Sequence, residues 1–272
     1  MTWFSLKRTL QSDIASSIEV LNPINQDVSR SNLYTPLRYS AVLLSIGKTT
    51  QICHQNIPLK KVNCNGTVTY ISAIPLKLAK MWQLPLDELV DCLMSVLQHQ
   101  TLPPLWSHLQ KTDDGWLEFV ISQGGIEQWQ QHLNQWSQPA KASSSWSIQA
   151  AWLWQLQSGY ELCCRWQTRC RQQEVSVPIK SNRPSSESFL IPNQSIQALI
   201  YCLLDICDNW ENSAPNQLVQ QARHLVMALE TCIATAGLSS EVKVLSAWLE
   251  PTRVVLEQVL VGRLGYQLAK HL

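Results

Sequence analysis

The segment from Gly66 to Trp136 constrains the fold of this chain most, because helical and strand patterns alternate within it over a short distance. Ser72 can cap a helix whose second residue or so is Ile74 or Pro75, a favourable place for proline. The apolar residues of this helix recur at helical spacing: Ile74, Leu78, Met81 and Trp82. Pro85 interrupts it and can open a second helix. The apolar stripe of the second helix is Leu86, Leu89, Val90, Leu93 and Leu97.

The same segment ends in a strand and a third helix. Leu117, Phe119 and Ile121 fall on one face of the strand, with Glu118 and Ser122 on the other. The glycine pair that follows, Gly124-Gly125, turns the chain into the third helix. The apolar stripe of this helix is Ile126, Trp129, Leu133 and Trp136.

Three stretches in this order, YISAIPLKLAK, PLDELVDCL and GWLEFVIS, resemble the N-terminal additional domain of arginyl-tRNA synthetases. That domain runs strand, two helices around a proline, then a glycine-aromatic strand of the type GFINFRLS. The matching residues are Tyr70, Ser72, Ala73, Leu78, Ala79, Pro85, Gly115, Phe119 and Ser122. Another small α/β domain can show the same helix–helix–strand order, so that interpretation stays open beside the resemblance.

The N-terminal half as a whole has the pattern of an α+β domain. Helical spacing predicts a first helix from about residue 3 to 20, and residues 22–37 are polar with two prolines, as in a loop. The predicted strands cover residues 39–47, 50–57, 67–71 and 116–122. We therefore expect a small antiparallel or mixed sheet covered by helices, since each element needs a partner for its apolar face.

The stretch SQPAKASSS at 137–145 is small, polar and proline-containing, as linkers are. It predicts two domains, residues 1–138 and 139–272. Beyond it the pattern is helical almost throughout, apart from an extended loop at 174–192. The predicted helices cover about 146–173, 194–211, from Pro215 to before Gly237, and 241–262. Four stripes of this width predict an all-α helical bundle.

This half resembles the DALR anticodon-binding domain that synthetases of the arginyl type carry at their C-terminus. The family opens with V-Q-Y-A-H-A-R and ends with L-L-G-I-x-A-P-E-x-M, and IQAAWLW and RLGYQLAKHL stand in those places here. The chain departs from the family at Ala150, Trp152 and Trp154, where the family has Tyr, His and Arg, and at Ser246, where it has Arg. These departures put inherited tRNA contacts in doubt.

The catalytic domain that such synthetases place between these two modules has no counterpart in the sequence. Neither an H-x-G-H motif nor a K-M-S-K-S loop occurs, and the six histidines are scattered. No nucleophile has a base placed beside it by sequence, and Gly124-Gly125 lacks the surroundings of a phosphate loop. We therefore expect a protein that is not an enzyme, with no cofactor and no small-molecule substrate.

Composition limits the compartment and the partners. No run of eighteen apolar residues exists and the N-terminus lacks the pattern of a signal peptide, so we expect a cytoplasmic protein without membrane contact. Nine cysteines include no Cys-x-x-Cys pair, which predicts structural thiols and no metal site. Lys/Arg and Asp/Glu balance at ten to ten in residues 1–140 and eleven to ten in 141–272, which weighs against strong autonomous RNA binding.

Within this balance, the basic residues after the middle of the long helix are the best candidates for RNA contact. Arg165 and Arg169 lie one helical turn apart, and Trp166 is available for base stacking. The first candidate set is Arg165, Trp166, Arg169, Arg171, Lys180 and Arg183, and the second is Arg253, Arg263, Lys270 and His271. A solvated helix end, whose positive charges suit the C-terminal dipole, explains the first set without RNA.

The resemblance and these residues lead to a first hypothesis, a non-catalytic tRNA-binding or tRNA-like-RNA-binding protein derived from an arginyl-tRNA synthetase. Tryptophans 129, 136, 146, 152, 154 and 166 cluster around the linker. Those that are exposed would form an apolar patch of the kind that marks a protein contact. The second hypothesis is therefore a protein-interaction scaffold or homodimer that binds no RNA.

Overall fold

The computed structural model describes residues 5–21, 57–64, 66–99, 105–136, 148–173, 193–236, 239–266 and 268. Contacts among them divide the chain into two units. One comprises residues 7–126 and the other residues 127–268 together with 5 and 6, so that the division falls at Ile126 and Glu127. The boundary predicted from sequence, between residues 138 and 139, lies outside the described residues.

The first unit contains a four-stranded antiparallel sheet. Its strands are β1 (Lys60–Cys64), β2 (Thr67–Ser72), β3 (Trp106–Lys111) and β4 (Leu117–Ile121). Their order across the sheet is β1-β2-β4-β3. The predicted strands at 67–71 and 116–122 are confirmed as β2 and β4, and they are the two central strands. Those predicted at 39–47 and 50–57 lie outside the described residues, apart from Ile57, which precedes β1.

Alternation of burial explains the register of the sheet. Along β4, Leu117, Phe119 and Ile121 are buried and the residues between them are only partly covered. Tyr70 of β2 and Leu109 of β3 pair with Phe119 from either side, and both are buried. One face of the sheet therefore carries the core of this unit.

Four helices belong wholly or partly to the same unit, and their bounds follow the predicted periodicity. They are α1 (Leu6–Leu21), α2 (Ile74–Trp82), α3 (Leu86–Gln98) and α4 (Gln123–Asn134). Pro75 lies in the first turn of α2, as expected. The helix is capped differently from the prediction, however, because Ala73 holds the cap position and makes no side-chain cap bond. Ser72, one residue earlier, still accepts a hydrogen bond from the Ile74 amide at 3.3 Å.

The beginning of α4 differs from the prediction. Gly124 and Gly125 lie inside the first turn of the helix and do not form the turn before it. Ser122 caps this turn, since its Oγ accepts a hydrogen bond from the Gly125 amide at 2.9 Å. The Ser122 Oγ also donates to the Leu105 carbonyl at 3.0 Å. Gly125 permits close packing of the helix against the chain at Leu105, because a Cβ on it would lie 2.3 Å from the Leu105 carbonyl oxygen.

The described residues of the second unit form helices joined by short non-helical segments. Its long helices are α5 (Ala150–Gln173), α6 (Gln194–Asn209), α7 (Pro215–Thr235) and α8 (Ser239–Glu257), and α8 continues into a π-helix over Gln258–Arg263. The main packing partners are α6 with α7, α5 with α8, and α5 with α7. The four helices predicted for this half are confirmed. None of the helices among the described residues has the length and apolar character to cross a membrane.

Asp13 on α1 gives this structure a testable pH dependence. Burial raises the pKa of its carboxyl from 3.8 to about 6. Because the folded pKa lies above the unfolded one, the folded state binds the proton more tightly, and stability falls as the pH rises from about 4 through 6. Because the Asp13 side chain is only half-buried, solvent screening makes this loss of stability smaller than it would be for a fully buried carboxyl.

We therefore expect Asp13→Asn to raise the free energy of unfolding by about 1–2 kcal/mol at pH 7.5 and to change it little at pH 3.5. Urea denaturation at the two pH values measures the difference. Asp91→Asn, at an exposed position on α3, is the matched control. Equal effects of Asp13→Asn at both pH values would contradict the raised pKa.

Candidate nucleic-acid interface

Helix α5 positions most of the described residues that the sequence marks for RNA binding. Its buried side is narrow and consists of Leu156, Gly159, Cys163 and Cys170, which recur at intervals of three, four and seven residues. This spacing places them on one face, which packs against α7 and α8. The rest of the helix surface is partly covered or exposed, and it carries aromatic side chains such as Trp154 and Trp166 as well as polar and basic ones.

Opposite the buried face runs a row that we call the α5 strip: Trp154, Glu161, Arg165, Arg169 and Gln172. All five residues are exposed. At about 100° per residue they fall within an arc of about 80°, and at 1.5 Å per residue the row is about 27 Å long. The strip combines a flat aromatic side chain near one end with two guanidinium groups towards the other.

The two arginines of the α5 strip have weak local partners. The Arg165 side chain is 68% exposed, and its Nη2 donates to Glu161 Oε2 at 3.2 Å in a pair of the i, i+4 type. The Arg169 guanidinium carbon lies 5.0 Å from the centre of the half-buried Trp166 ring. Exposed pairs of this kind contribute little stability, so both guanidiniums remain accessible to an anion. Arg171, near the end of the helix, is also exposed.

Unlike Arg165 and Arg169, Arg253 has its guanidinium bound by two carboxylates of its own helix. Its guanidinium donates to both carboxylate oxygens of Glu250, at 2.7 and 3.0 Å, and to Glu257 Oε2 at 2.7 Å. Its Nη1 also lies 3.4 Å from the hydroxyl of Tyr160 on α5, and Gln167 of α5 donates to Glu250. The hydrogen bond from Arg253 is the main cause that lowers the pKa of Glu250, and the Glu250 carboxylate in turn raises the pKa of Arg253. This residue connects α8 with α5.

Arg263 is half-buried against an aromatic pair. Its Nη2 donates to the Trp210 carbonyl at 2.8 Å, and its guanidinium carbon lies 4.8 Å from the centre of the Trp210 ring. Trp136 meets the same ring edge-on at 5.2 Å. The other predicted RNA-binding residues, Lys180, Arg183, Lys270 and His271, lie outside the described residues.

A groove of about 410 Å³ opens between α5 and α7, beside the N-terminal half of the α5 strip. Gly159 explains why the two helices approach closely there, because a Cβ on it would lie 2.4 Å from a Val226 methyl carbon of α7. The polar and aromatic groups that line the groove are Trp154, Gln157, Ser158, Glu161, Arg165 and Glu230. Glu230 is the lining residue that α7 contributes.

Trp154 is the aromatic residue of the α5 strip, and the predicted RNA-binding set omits it. Its side chain is 68% exposed, whereas Trp129 is fully buried and Trp136, Trp152 and Trp166 are half-buried. Trp146 lies outside the described residues. The large exposed hydrophobic side chains among the described residues are Leu76, Trp154 and Met227. The spacing of eleven residues between Trp154 and Arg165, three helical turns, was a signal available in the sequence.

The thiols of the helical unit behave as packing groups. Burial strongly raises the pKa of Cys163, and burial raises the pKa of Cys232 to about 12, so both stay protonated at neutral pH. Among the described residues, Cys92, Cys163, Cys164 and Cys232 are free thiols. Over the described ranges, no group of three His, Cys, Asp or Glu side chains is placed to hold a metal ion.

No protein-family model matches the sequence, and neither a curated protein nor a solved structure matches the chain significantly. The geometry of the α5 strip and the groove beside it therefore carries the functional argument.

Proposed function

We propose that the chain is a non-catalytic RNA-binding protein that takes tRNA or a tRNA-like RNA. The observation that carries this proposal is the α5 strip, where an indole with 68% exposure lies in one row with two exposed guanidiniums. Exposed arginines bind phosphate oxygens, and an exposed indole stacks on an unpaired base. The combination fits a single-stranded loop better than a duplex, in which the bases are already stacked.

The resemblance to the arginyl-tRNA synthetase modules supports the same class of ligand. Under that resemblance the helical unit would contact the anticodon stem and loop, and the N-terminal unit the elbow. The order in the first unit is β2, α2, α3, β3 and β4, and four helices follow in the second unit. This order is compatible with the proposal, with β3 as an additional strand before the glycine-aromatic one.

The charge of the surface sets the expected strength of binding. Arg253 is engaged by Glu250 and Glu257, and Glu161 partly neutralises Arg165. With two or three phosphate contacts on a single strand, log Kd should change with log salt by a slope of about 1.4–2. Binding should therefore be measurable at 50 mM salt and weak at 200 mM.

We expect the double variant Arg165→Ala/Arg169→Ala to lose about tenfold in affinity for total tRNA at 50 mM NaCl, and its salt slope to fall by about 1.4. Gel shift or fluorescence anisotropy across 50–300 mM NaCl measures both quantities. The matched control is Lys77→Ala/Lys80→Ala, which removes the same charge from exposed positions on α2. An equal loss in the control would show that binding follows net charge and does not use the α5 strip. No binding of the native chain at 50 mM NaCl would overturn the proposal.

The alternative function, a protein-interaction scaffold or homodimer, would use the same exposed indole of Trp154. A stable dimer needs an extended apolar centre, and few large hydrophobic side chains are exposed in the described part of the chain. This favours RNA as the partner. Light scattering after size exclusion separates the two, since a dimeric mass that Trp154→Ala returns to the monomer would support the alternative.

A further inference from the structure

We infer that the groove between α5 and α7 selects a guanine base; this rests on the RNA-binding function proposed above. The groove presents two kinds of group from two helices, the Trp154 indole of α5 and the Glu230 carboxylate of α7. An indole stacks on any base, so it supplies affinity without choice. The carboxylate supplies the selectivity between bases, because it only accepts hydrogen bonds and therefore pairs with donors on the base.

Guanine is the base whose Watson–Crick edge fits a carboxylate. It offers two adjacent donors, N1–H and the N2 amine, which match the two oxygens of one carboxylate in the bidentate manner of an arginine. Adenine and cytosine place an acceptor nitrogen beside their single amino group, and that nitrogen would face a carboxylate oxygen without a proton between them. Uracil offers one N–H between two carbonyl oxygens, and a carboxylate repels these oxygens.

Glu230 is the better placed of the two carboxylates in the groove. Glu161 already accepts from Arg165 at 3.2 Å, and Glu230 makes no ion pair with any side chain that the structure describes. Glu230 is exposed on α7, so it reaches the base from the wall opposite α5. It can therefore give both oxygens to a ligand.

The volume of the groove suits one base with its ribose. Its volume of about 410 Å³ lies within the range of small-molecule sites. Along α5, eleven residues separate Trp154 from Arg165, a rise of about 16 Å. This rise is longer than the reach from base to phosphate within one nucleotide, so a base stacked at Trp154 leaves Arg165 to the phosphate of a neighbouring nucleotide. Gln157 and Ser158, between these ends, offer donors to the guanine O6.

The test uses a hairpin RNA whose uridine loop carries one variable nucleotide: guanosine, inosine, N1-methylguanosine or adenosine. Anisotropy at 50 mM NaCl gives the four dissociation constants. We expect guanosine to bind about tenfold more tightly than adenosine or N1-methylguanosine, with inosine between them because it keeps N1–H and lacks the N2 amine. Glu230→Gln should bring the guanosine-to-adenosine ratio close to one and leave the adenosine hairpin within about twofold.

Two further variants assign the roles. Trp154→Ala should weaken all four hairpins by about tenfold, because stacking does not depend on the base. Glu127→Gln, at an exposed position on α4, should leave the preference unchanged. Equal binding of the four hairpins by the native chain would overturn the inference while the RNA-binding function stands. A preference that survives Glu230→Gln would also overturn it. Absence of binding to every hairpin would remove the proposed function itself.

Discussion

Replacing Gly125 with alanine is expected to lower the free energy of unfolding by about 2–3 kcal/mol, although alanine is the better helix former by about 1 kcal/mol. A Cβ at this position would lie 2.3 Å from the Leu105 carbonyl oxygen and 3.1 Å from its carbonyl carbon. These are backbone atoms, so no side-chain rotation relieves the contact. The steric cost should therefore exceed the gain in helix propensity.

The same carbonyl is also a hydrogen-bond acceptor at the start of α4. It accepts from the Ser122 amide at 2.8 Å and from the Ser122 Oγ at 3.0 Å. Moving it away from a new methyl group would weaken both bonds and disturb the cap of the helix. Urea denaturation followed by circular dichroism measures the loss, with Gln128→Ala, at an exposed site on α4, as a control expected within about 0.5 kcal/mol. A Gly125→Ala protein as stable as the native chain would contradict this account.

Replacing Arg253 with methionine is expected to cost about 2–3 kcal/mol at pH 7, somewhat less than the loss for a fully buried pair because these groups are partly exposed. Methionine keeps an apolar stem of similar length. It removes the donors to Glu250 and Glu257, however, and leaves two neighbouring carboxylates without their shared cation. The link from α8 to Tyr160 on α5 is lost at the same time.

The pH dependence of this loss separates the ion pair from simple packing. The hydrogen bond with Arg253 lowers the pKa of Glu250 in the native chain below its usual value of 4.5. The stability that this pair contributes is therefore fully present above pH 4.5, and it is lost as the pH falls through the lowered pKa. The difference between native and Arg253→Met proteins should therefore shrink below about pH 4.5.

Urea titrations at pH 7 and pH 3.5 check this dependence. The triple variant with Glu250→Gln and Glu257→Gln should recover most of the stability at pH 7, because it removes the uncompensated charges. A loss that is the same at both pH values, and that the triple variant does not recover, would mean that the contribution of Arg253 is packing alone.

The central strands were predictable from sequence and the edge strands were not. β2 and β4 have neighbours on both sides, and each carries buried apolar residues at every second position: Val68 and Tyr70 in β2, and Leu117, Phe119 and Ile121 in β4. β1 and β3 form the edges of the sheet, where polar residues are favoured. In β3 an irregularity in register between Trp106 and His108 also interrupts the alternation.

The candidate interface, like the sheet, was predictable from sequence only in part. Arg165, Arg169 and Arg171 could be assigned to an exposed part of a long helix, because the apolar periodicity around them defines the opposite face. The engagement of Arg253 could not be predicted, since its partners include Tyr160, ninety-three residues away in sequence. Nor could the groove, whose second wall carries Glu230 on a separate helix.

The amino-acid sequence by itself determined where helices and central strands lie in this chain, because those elements follow from the spacing of apolar side chains over a few turns. Tertiary structure decided which charged groups remain accessible and why Gly125 and Gly159 must be glycines. Each of these depends on atoms brought together from distant parts of the chain, Leu105 beside Gly125 and Val226 beside Gly159, and local periodicity carries no information about such distances.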